Sequence, residues 1–264
     1  MNVFQNYGKY YDLLYQDKEY LGETNFLIGL LNHFGVAKGA NLLELGAGTG
    51  KHAYHLAEQG YYVTGIEQSD MMLEMAGQAL SQKTPNITQH VQLFKGDVRT
   101  WVAEQVSPEA PAEKYDAAFS LFHVMSYMQN LADLQSVFAN IKKQVKPGGV
   151  FIFDCWYGPA VLNLKPETRY KVMTDGDYTI ERIAQAQMNT TQQQVTIDYT
   201  LFAKDKNEEK YQKFEEQHTM RFLFKSEIEL LCQQFGFQLV DDFEWMTKAA
   251  LSEDTWGACF VIKL

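Results

Sequence analysis

The sequence predicts an α/β fold that carries a small antiparallel β insertion. Between residues 41 and 156, short apolar runs alternate with segments of helical periodicity, a pattern typical of a parallel sheet with right-handed crossovers. From about Tyr157 to Phe224 the residues alternate instead, are rich in Thr, Gln and Tyr, and are broken by polar turns. This second pattern indicates antiparallel strands.

Composition and charge limit the function classes. The 264 residues allow one large domain or one domain with an insertion, and 46% hydrophobic residues are enough for a core. The net charge is −10 and no basic run exceeds Lys142-Lys143, so a nucleic-acid partner is not expected. The three cysteines form no CxxC pair, and neither a signal peptide nor a long apolar run is visible. We therefore expect a cytoplasmic protein without disulfides, zinc or membrane contact.

The first elements follow from local patterns. ETNFLIGLLNHFG places apolar residues three and four apart from Phe26 to Phe34, which predicts a helix that ends at Gly35. ANLLEL is a short buried strand that leads into a glycine loop. KHAYHLAEQG is a helix ended by Gly60, and YYVTGIE is the second strand.

The middle of the chain repeats this alternation. SDMMLEMAGQAL predicts a helix with Ser69 or Asp70 as its N-cap. VQLFKGDV and YDAAFSLF are the third and fourth strands, and LADLQSVFANIKKQVKPGG begins as an amphipathic helix. Pro147-Gly148-Gly149 then turns the chain into VFIFDCW, the fifth strand. In such a sheet, ligands bind at the carboxyl ends of the strands.

The last third contains the insertion and the end of the core. TTQQQ and KDKNEE are predicted hairpin tips. KSEIELLCQQFG is a helix that ends at Gly236, and FQLVDDFEWM and WGACFVIKL are two late strands. Asp241 and Asp242 are adjacent on a strand and face opposite sides, so no metal site is expected.

The glycine loop favours one kind of ligand. Gly46, Gly48 and Gly50 give the spacing G-x-G-x-G, which is neither the dinucleotide fingerprint nor a P-loop. Glu44 stands two residues before the first glycine, where it would repel a pyrophosphate but suits a cationic ligand. Glu67 ends the second strand, where a carboxylate can accept hydrogen bonds from both ribose hydroxyls. A tight strand-to-helix turn without a ligand is the alternative.

LLELGAGTG, Glu67 and GDV together resemble the first three motifs of class I S-adenosylmethionine-dependent methyltransferases. The resemblance covers roughly residues 41–154 and implies a Rossmann-like seven-stranded sheet whose last strand is antiparallel. It implies that the loop lines the methionine and ribose, that Glu67 holds the ribose, and that Asp97 with Val98 holds the adenine. The cofactor contacts it implies are Tyr11, Glu44, Gly46, Ala47, Gly48, Glu67, Gln68, Met72, Asp97, Val98 and Leu121.

The N-terminal segment gives a hint about the acceptor. YYDLLYQDKEY belongs to a stretch with five tyrosines, namely Tyr7, Tyr10, Tyr11, Tyr15 and Tyr20. It resembles the N-terminal lid of small-molecule N-methyltransferases acting on nucleotide-linked amino sugars and, more distantly, on glycine. There the matching tyrosine, here Tyr11, reaches the cofactor. The alternative is an aromatic stripe used only for packing.

Residues after the fourth and fifth strands are candidates for the chemistry. An amine must lose a proton before or during methyl transfer, and His123 lies where the acceptor should sit, so it is the candidate base. Tyr11 and Tyr127 are candidates for orienting the acceptor. SLFHVMSYM has no proline pair, unlike the methyltransferases of DNA bases or glutamine side chains. Three residues are expected either to line the acceptor pocket or to pack in the core, namely Asp154, Trp156 and Tyr157. In the insertion, Arg169 and Arg182 either pair with an anionic acceptor or are solvated. On the helix after the loop, His52 and His55 are expected to be structural.

These observations give a division of the chain and a function. Residues 1–40 are predicted as a helical lid, 41–156 with 220–264 as the cofactor-binding core, and 157–219 as an insertion that serves as acceptor lid or dimer contact. The predicted activity is methyl transfer from S-adenosylmethionine to a small molecule, most simply an amine, by a protein that can form a homodimer. An NAD-dependent oxidoreductase and a non-catalytic partner subunit with the same fold are the alternatives.

Overall fold

The computed structural model describes residues 10–102, 114–175, 177–207 and 210–264. Within these ranges the strands form one seven-stranded sheet and one four-stranded antiparallel sheet. Tyr7 and the beginning of the predicted lid lie outside the described residues. No helix in the described ranges is both long and apolar enough to cross a lipid bilayer.

The larger sheet has the order β10-β11-β5-β4-β1-β2-β3. β1 to β5 pair in parallel, whereas β11 is antiparallel to both of its neighbours. The predicted antiparallel last strand is therefore confirmed. The strands are β1 (Asn41–Leu45), β2 (Tyr62–Glu67), β3 (Val91–Lys95), β4 (Tyr115–Ser120), β5 (Val145–Trp156), β10 (Gln238–Glu244) and β11 (Gly257–Lys263).

The helices of the described residues connect these strands and begin and end where local chemistry predicts. The Ser69 hydroxyl accepts a hydrogen bond from the backbone N–H of Met72 and caps α4. Gly236 ends α8 in the left-handed region. The helices are α1 (Tyr11–Leu14), α2 (Tyr20–His33), α3 (Lys51–Glu58), α4 (Asp70–Ser81), α5 (Pro85–Thr88), α6 (Leu131–Gln144), α7 (Gly158–Leu164) and α8 (Lys225–Phe235), with a 3₁₀ turn at Val124–Tyr127.

Both faces of the larger sheet are buried. Along β5, Phe151 and Phe153 pack with the helices α6 and α8, whereas Val150 and Ile152 pack with α2 and α3. Successive strand residues point to opposite faces, so a strand covered on both sides is apolar throughout. This explains why VFIFDCW shows no alternation and why the sheet is rigid enough to fix loops at its edge.

The four-stranded sheet has the order β6-β7-β8-β9. Its inner face packs against α1, where Tyr10 and Leu14 contact Ile180 and Leu201. The N-terminal segment and the inserted sheet therefore meet above the carboxyl ends of the core strands. The strands are β6 (Arg169–Thr174), β7 (Tyr178–Asn189), β8 (Gln194–Asp205) and β9 (Gln212–Arg221).

Some details differ from the expectations. TTQQQ is a hairpin tip as predicted, whereas the second tip, KDKNEE, lies partly outside the described residues. β5 begins at Val145, before the predicted turn, and its pairing with β4 is irregular there. The helix α7 was not predicted; Pro159 lies in its first turn, where the missing N–H costs nothing.

Candidate active site

A cavity of about 360 Å³ opens at the carboxyl ends of β1, β2, β4 and β5, beneath the inserted sheet. We call one wall the loop side, which comprises Gly46, Ala47, Gly48, Lys51, His52, Glu67 and Met72. We call a second part of the lining the aromatic side, which comprises Tyr11, Tyr15, Phe122, His123, Tyr127, Trp156, Arg169, Arg182, Tyr199, His218 and Trp256.

Backbone geometry shapes the loop side. Gly46 has φ +76°, and a Cβ at this position would lie 2.6 Å from the Val124 side chain, so only glycine fits. The N–H of Gly48 donates to Glu67 Oε2 at 2.9 Å, and the N–H of Ser69 donates to Glu67 Oε1 at 2.8 Å. The carboxylate that ends β2 is thus held by two backbone groups while it lines the cavity.

Glu44 lies just behind the loop and is 2% exposed. Its Oε2 atom is buried and lacks a hydrogen-bond partner among the described residues. Burial raises the pKa of Glu44, and the nearby His52 opposes this shift. Burial also raises the pKa of Glu67, although its backbone hydrogen bonds act the other way. An orphaned buried carboxylate oxygen fits a ligand that carries an ammonium group and no phosphate.

His52 joins this loop to the N-terminal helix. Its Nε2 lies 2.8 Å from Glu23 Oε2 on α2, and its Nδ1 lies 3.7 Å from Glu44 Oε1. Burial alone would lower the pKa of His52, but the two carboxylates raise it above its ordinary value. The sequence predicts a structural histidine at this position. The structure gives His52 a second property, because its side chain also lines the cavity.

His123 stands on the aromatic side and is held by Asp154. The backbone N–H of His123 donates to Asp154 Oδ1 at 2.9 Å. The imidazole Nδ1 lies 2.8 Å from Asp154 Oδ2, within ion-pair distance but out of line for a hydrogen bond. Phe122 and His123 both have positive φ, 65° and 62°, a conformation that costs roughly 1 kcal/mol or more per non-glycine residue. The contacts with Asp154 hold this strained turn.

Tyrosines and arginines complete the aromatic side. Tyr11 is 7% exposed, and burial together with the phenols of Tyr20 and Tyr15 raises its pKa well above the ordinary value. The Arg182 guanidinium lies 5.8 Å from the Tyr15 ring centroid and 5.6 Å from that of Tyr199, within cation–π range. The phenol of Tyr127 lies 2.8 Å from Nδ1 of His218.

The predicted site residues divide into two groups. Tyr11, Gly46, Ala47, Gly48, Glu67, Met72, Leu121 and His123 line the cavity. Glu44, Gln68, Asp97 and Val98 are not among the lining residues.

Asp97, which the resemblance assigned to the adenine, is engaged elsewhere. Its Oδ1 accepts a hydrogen bond from Arg99 Nε at 2.9 Å, and Arg99 Nη1 lies 2.7 Å from Asp133 Oδ1. Hydrogen bonding to this guanidinium lowers the pKa of Asp97. A contact between Asp97 and adenine therefore stays a prediction.

Sequence reasoning did not single out three residues of the aromatic side, namely Tyr199, His218 and Trp256. His218 and Tyr199 lie on β9 and β8 of the insertion, and Trp256 immediately precedes β11. Period-2 alternation could have assigned Tyr199 and His218 to one face of a strand. It could not have shown that this face covers the core.

Comparison with known proteins agrees with this geometry. Residues 42–149 match the family model described as "Methyltransferase domain". YqeM of Bacillus subtilis (strain 168) is 26% identical over 237 residues, which cover 90% of this chain and 87% of YqeM.

A second relative is the dTDP-3-amino-3,4,6-trideoxy-alpha-D-glucopyranose N,N-dimethyltransferase of Streptomyces venezuelae. It is 26% identical over 151 residues, 56% of each chain. The crystal structure of Streptomyces venezuelae DesVI shares the fold, with a TM-score of 0.77 at 20% identity over 97% of this chain and 98% of that one. Residues 42–149 therefore carry a methyltransferase domain, and the relatives and structural neighbours of the chain are S-adenosylmethionine-dependent methyltransferases with the same fold.

Proposed function

We propose that this enzyme methylates the amine nitrogen of a small molecule that also carries an anionic group. The observation that carries the proposal is that a single cavity holds the carboxylate-backed His123 and the cationic side chains of Arg169 and Arg182. The glycine loop lines the same cavity. A donor at the loop side and an acceptor at the aromatic side would therefore share one cavity.

The chemistry needs little from the protein beyond placement. S-adenosylmethionine, when bound, supplies the activated methyl group. Transfer then requires an aligned nucleophile that is not protonated. In this proposal His123 takes the amine proton, and Asp154 keeps the imidazole in place. Tyr11, buried and with a raised pKa, stays a neutral phenol that closes the site and orients the acceptor.

The same proposal assigns the cofactor contacts. Glu67 accepts the ribose hydroxyls, Glu44 lies near the methionine ammonium and interacts with it directly or through water, and the loop follows the ligand backbone. Met72 and Leu121 would contact the adenine as apolar neighbours. These roles rest on the position of each side chain at the carboxyl ends of the core strands.

Two arginines in the cavity of a chain with net charge −10 support an anionic acceptor. A guanidinium presents paired donors that match phosphate or carboxylate oxygens. A relative named as an N,N-dimethyltransferase of a dTDP-linked amino sugar has an acceptor with both features, an amine and a diphosphate. We therefore propose a nucleotide-linked amino sugar as the acceptor class.

The test uses a matched panel of acceptors with purified enzyme and S-adenosylmethionine. The panel contains a dTDP-linked 3-amino sugar, the same amino sugar without the nucleotide, its 3-hydroxy analogue linked to dTDP, and glycine. We expect S-adenosylhomocysteine and methylated product, followed by mass spectrometry, from the first compound only. Turnover of the hydroxy analogue instead would overturn the proposed nucleophile, and equal turnover of the free sugar would overturn the role of the arginines.

Four further proposals concern the insertion, the oligomeric state, the compartment and the partners of the enzyme. The insertion of residues 157–219 acts as acceptor lid, and its outer face, with Tyr170 and Val172 exposed on the edge strand β6, forms a homodimer contact. Light scattering of the full chain and of Val172→Lys tests the dimer.

The compartment and the partners follow from composition. The free cysteines Cys155, Cys232 and Cys259 suit a reducing cytoplasm. The acidic chain argues against a nucleic-acid partner.

A further inference from the structure

A chain of three polar side chains runs from the cavity into the inserted sheet. The phenol oxygen of Tyr127 lies 2.8 Å from Nδ1 of His218. The other ring nitrogen, Nε2, lies 3.0 Å from Glu216 Oε1. The side chains of His218 and Glu216 are 3% and 6% exposed, and both Tyr127 and His218 line the cavity. The contact between Tyr127 and His218 joins the core to the insertion across 91 positions of the chain.

The chemistry of the three groups fixes the direction of these hydrogen bonds. An ionised carboxylate only accepts, so Glu216 selects the His218 tautomer with its proton on Nε2. The Nδ1 atom of that tautomer has a lone pair and accepts the Tyr127 hydroxyl proton. Burial raises the pKa of Tyr127 well above its ordinary value, so the hydroxyl keeps the proton that it donates. The remaining lone pairs of the Tyr127 oxygen are then left for a partner in the cavity.

We propose that His218 and Glu216 are positioning residues that make the Tyr127 oxygen a hydrogen-bond acceptor for the amine of the substrate. The inference rests on the proposed N-methylation. A primary amine has two N–H bonds and one lone pair. If one N–H meets Tyr127 and the other meets His123, the lone pair points in the remaining direction, toward the methyl donor. The inserted sheet would thus align the nucleophile as well as cover it.

Aromatic and charged side chains surround the His218 ring. The Tyr199 ring centroid lies 5.0 Å from that of the imidazole, and the Arg182 guanidinium lies 5.6 Å from the Tyr199 ring centroid. Glu216 is the carboxylate beside the imidazole, and Tyr127 is the phenol.

The first experiment needs no acceptor. The ¹⁵N shifts of histidine-labelled full-length protein distinguish a protonated ring nitrogen from an unprotonated one, and His218→Asn assigns the signals. We expect His218 to be neutral with the proton on Nε2 near neutral pH, and we expect Tyr127→Phe to shift its Nδ1 signal because the donor is lost. A proton on Nδ1, or a doubly protonated ring, would overturn the proposal.

The second experiment measures turnover of dTDP-3-amino-3,4,6-trideoxy-α-D-glucopyranose. We expect Tyr127→Phe to lower kcat about tenfold, as for one lost hydrogen bond, with unchanged affinity for S-adenosylhomocysteine. His218→Leu should lower kcat by the same factor as Tyr127→Phe. His218→Asn can place its amide oxygen where Nδ1 of the histidine lies, so it should recover most of the rate. In the Tyr127→Phe background, His218→Leu should cost nothing further, because both changes remove the same interaction.

The control is another carboxylate–histidine pair of the same length. His55 Nδ1 lies 3.0 Å from Glu58 Oε2 on α3, away from the cavity, and His55→Leu should leave kcat unchanged. Additive losses in the double variant, or full activity of His218→Leu, would show that His218 only packs the insertion and would overturn the inference. Lack of turnover by the wild-type enzyme would contradict the proposed acceptor instead, and the ¹⁵N spectrum would still decide the tautomer.

Discussion

The loop side and the aromatic side of the cavity are held in different ways. On the loop side, the backbone N–H groups of Gly46 and Ala47 donate to the Ile66 carbonyl of the adjacent strand, and the N–H of Gly48 holds the Glu67 carboxylate. On the aromatic side, His123 depends on Asp154, 31 residues later, and Tyr127 depends on His218, 91 residues later. One wall is built by local sequence, the other by long-range side-chain contacts.

The difference suits the two partners of the reaction. The proposed donor is the same molecule in every enzyme of this type, so a wall of backbone groups with the Glu67 carboxylate can serve for it. The acceptor varies, and a wall of side chains supplied by the N-terminus, the core and the insertion can change without disturbing the sheet. We therefore expect changes on the loop side to affect donor binding and changes on the aromatic side to affect turnover or acceptor binding.

Removing the carboxylate that ends β2 should have the largest effect. Glu67→Ala would remove the ribose contacts and also free the N–H groups of Gly48 and Ser69. We expect the Kd of S-adenosylhomocysteine, measured by calorimetry, to rise about 100-fold, as for two charge-assisted hydrogen bonds. Glu58→Ala, on the exposed end of α3, is the control. A change of less than about threefold would show that the loop alone holds the donor.

Changing His123 should lower turnover and leave donor binding nearly unchanged, which distinguishes the aromatic side from the loop side. We expect His123→Ala to lower kcat about 100-fold, the lower end of what a general base contributes, while the Kd of S-adenosylhomocysteine stays within about twofold. Rapid-quench and steady-state measurements with the dTDP-linked amino sugar would give kcat, and His55→Ala would serve as control. An unchanged kcat would mean that proximity alone drives the transfer.

The sequence predicted one wall better than the other for physical reasons. Glycine spacing and the flanking carboxylates are local features of the sequence. They were enough to predict the position of the ligand-binding loop between β1 and α3. The alternation of apolar runs with helical periods predicted the parallel sheet, whereas its seven strands and antiparallel last strand were implied by the resemblance to class I methyltransferases.

The aromatic side gave weaker signals because no local pattern encodes a contact between distant segments. Alternation along β9 places His218 on one face of a strand, but only the packing of the inserted sheet over the 3₁₀ turn brings it to Tyr127. For Asp97 the motif predicts a ligand contact, and the structure adds a hydrogen bond from the nearby Arg99 that the sequence did not indicate. Likewise, His52 could be assigned to a helix, whereas its two carboxylate neighbours come from α2 and β1.

Removing a cation from the aromatic side should change acceptor binding more than chemistry. We expect Arg182→Leu to raise the KM of the dTDP-linked amino sugar about tenfold, the effect of one lost charge-assisted contact, with kcat and donor affinity nearly unchanged. Lys171 is its cross-strand partner and contacts Asp17 at 2.7 Å, so Lys171→Leu is the matched control. If both variants behave alike, the effect comes from general charge and not from a site in the cavity.

The smallest effect concerns His52, which joins the loop side to the N-terminal helix. Its pKa is lowered by burial but raised more by Glu23 and Glu44, so the net shift is upward. A histidine with a raised pKa in the folded state contributes stability that is complete below its unfolded value of about 6.5 and is lost as the pH rises through the folded pKa. The difference in Tm between wild type and His52→Gln should therefore be largest near about pH 6 and shrink as the pH rises through the raised pKa of the folded state. A constant difference would mean that His52 acts through packing alone, and the loop side would then owe its shape to the backbone without help from α2.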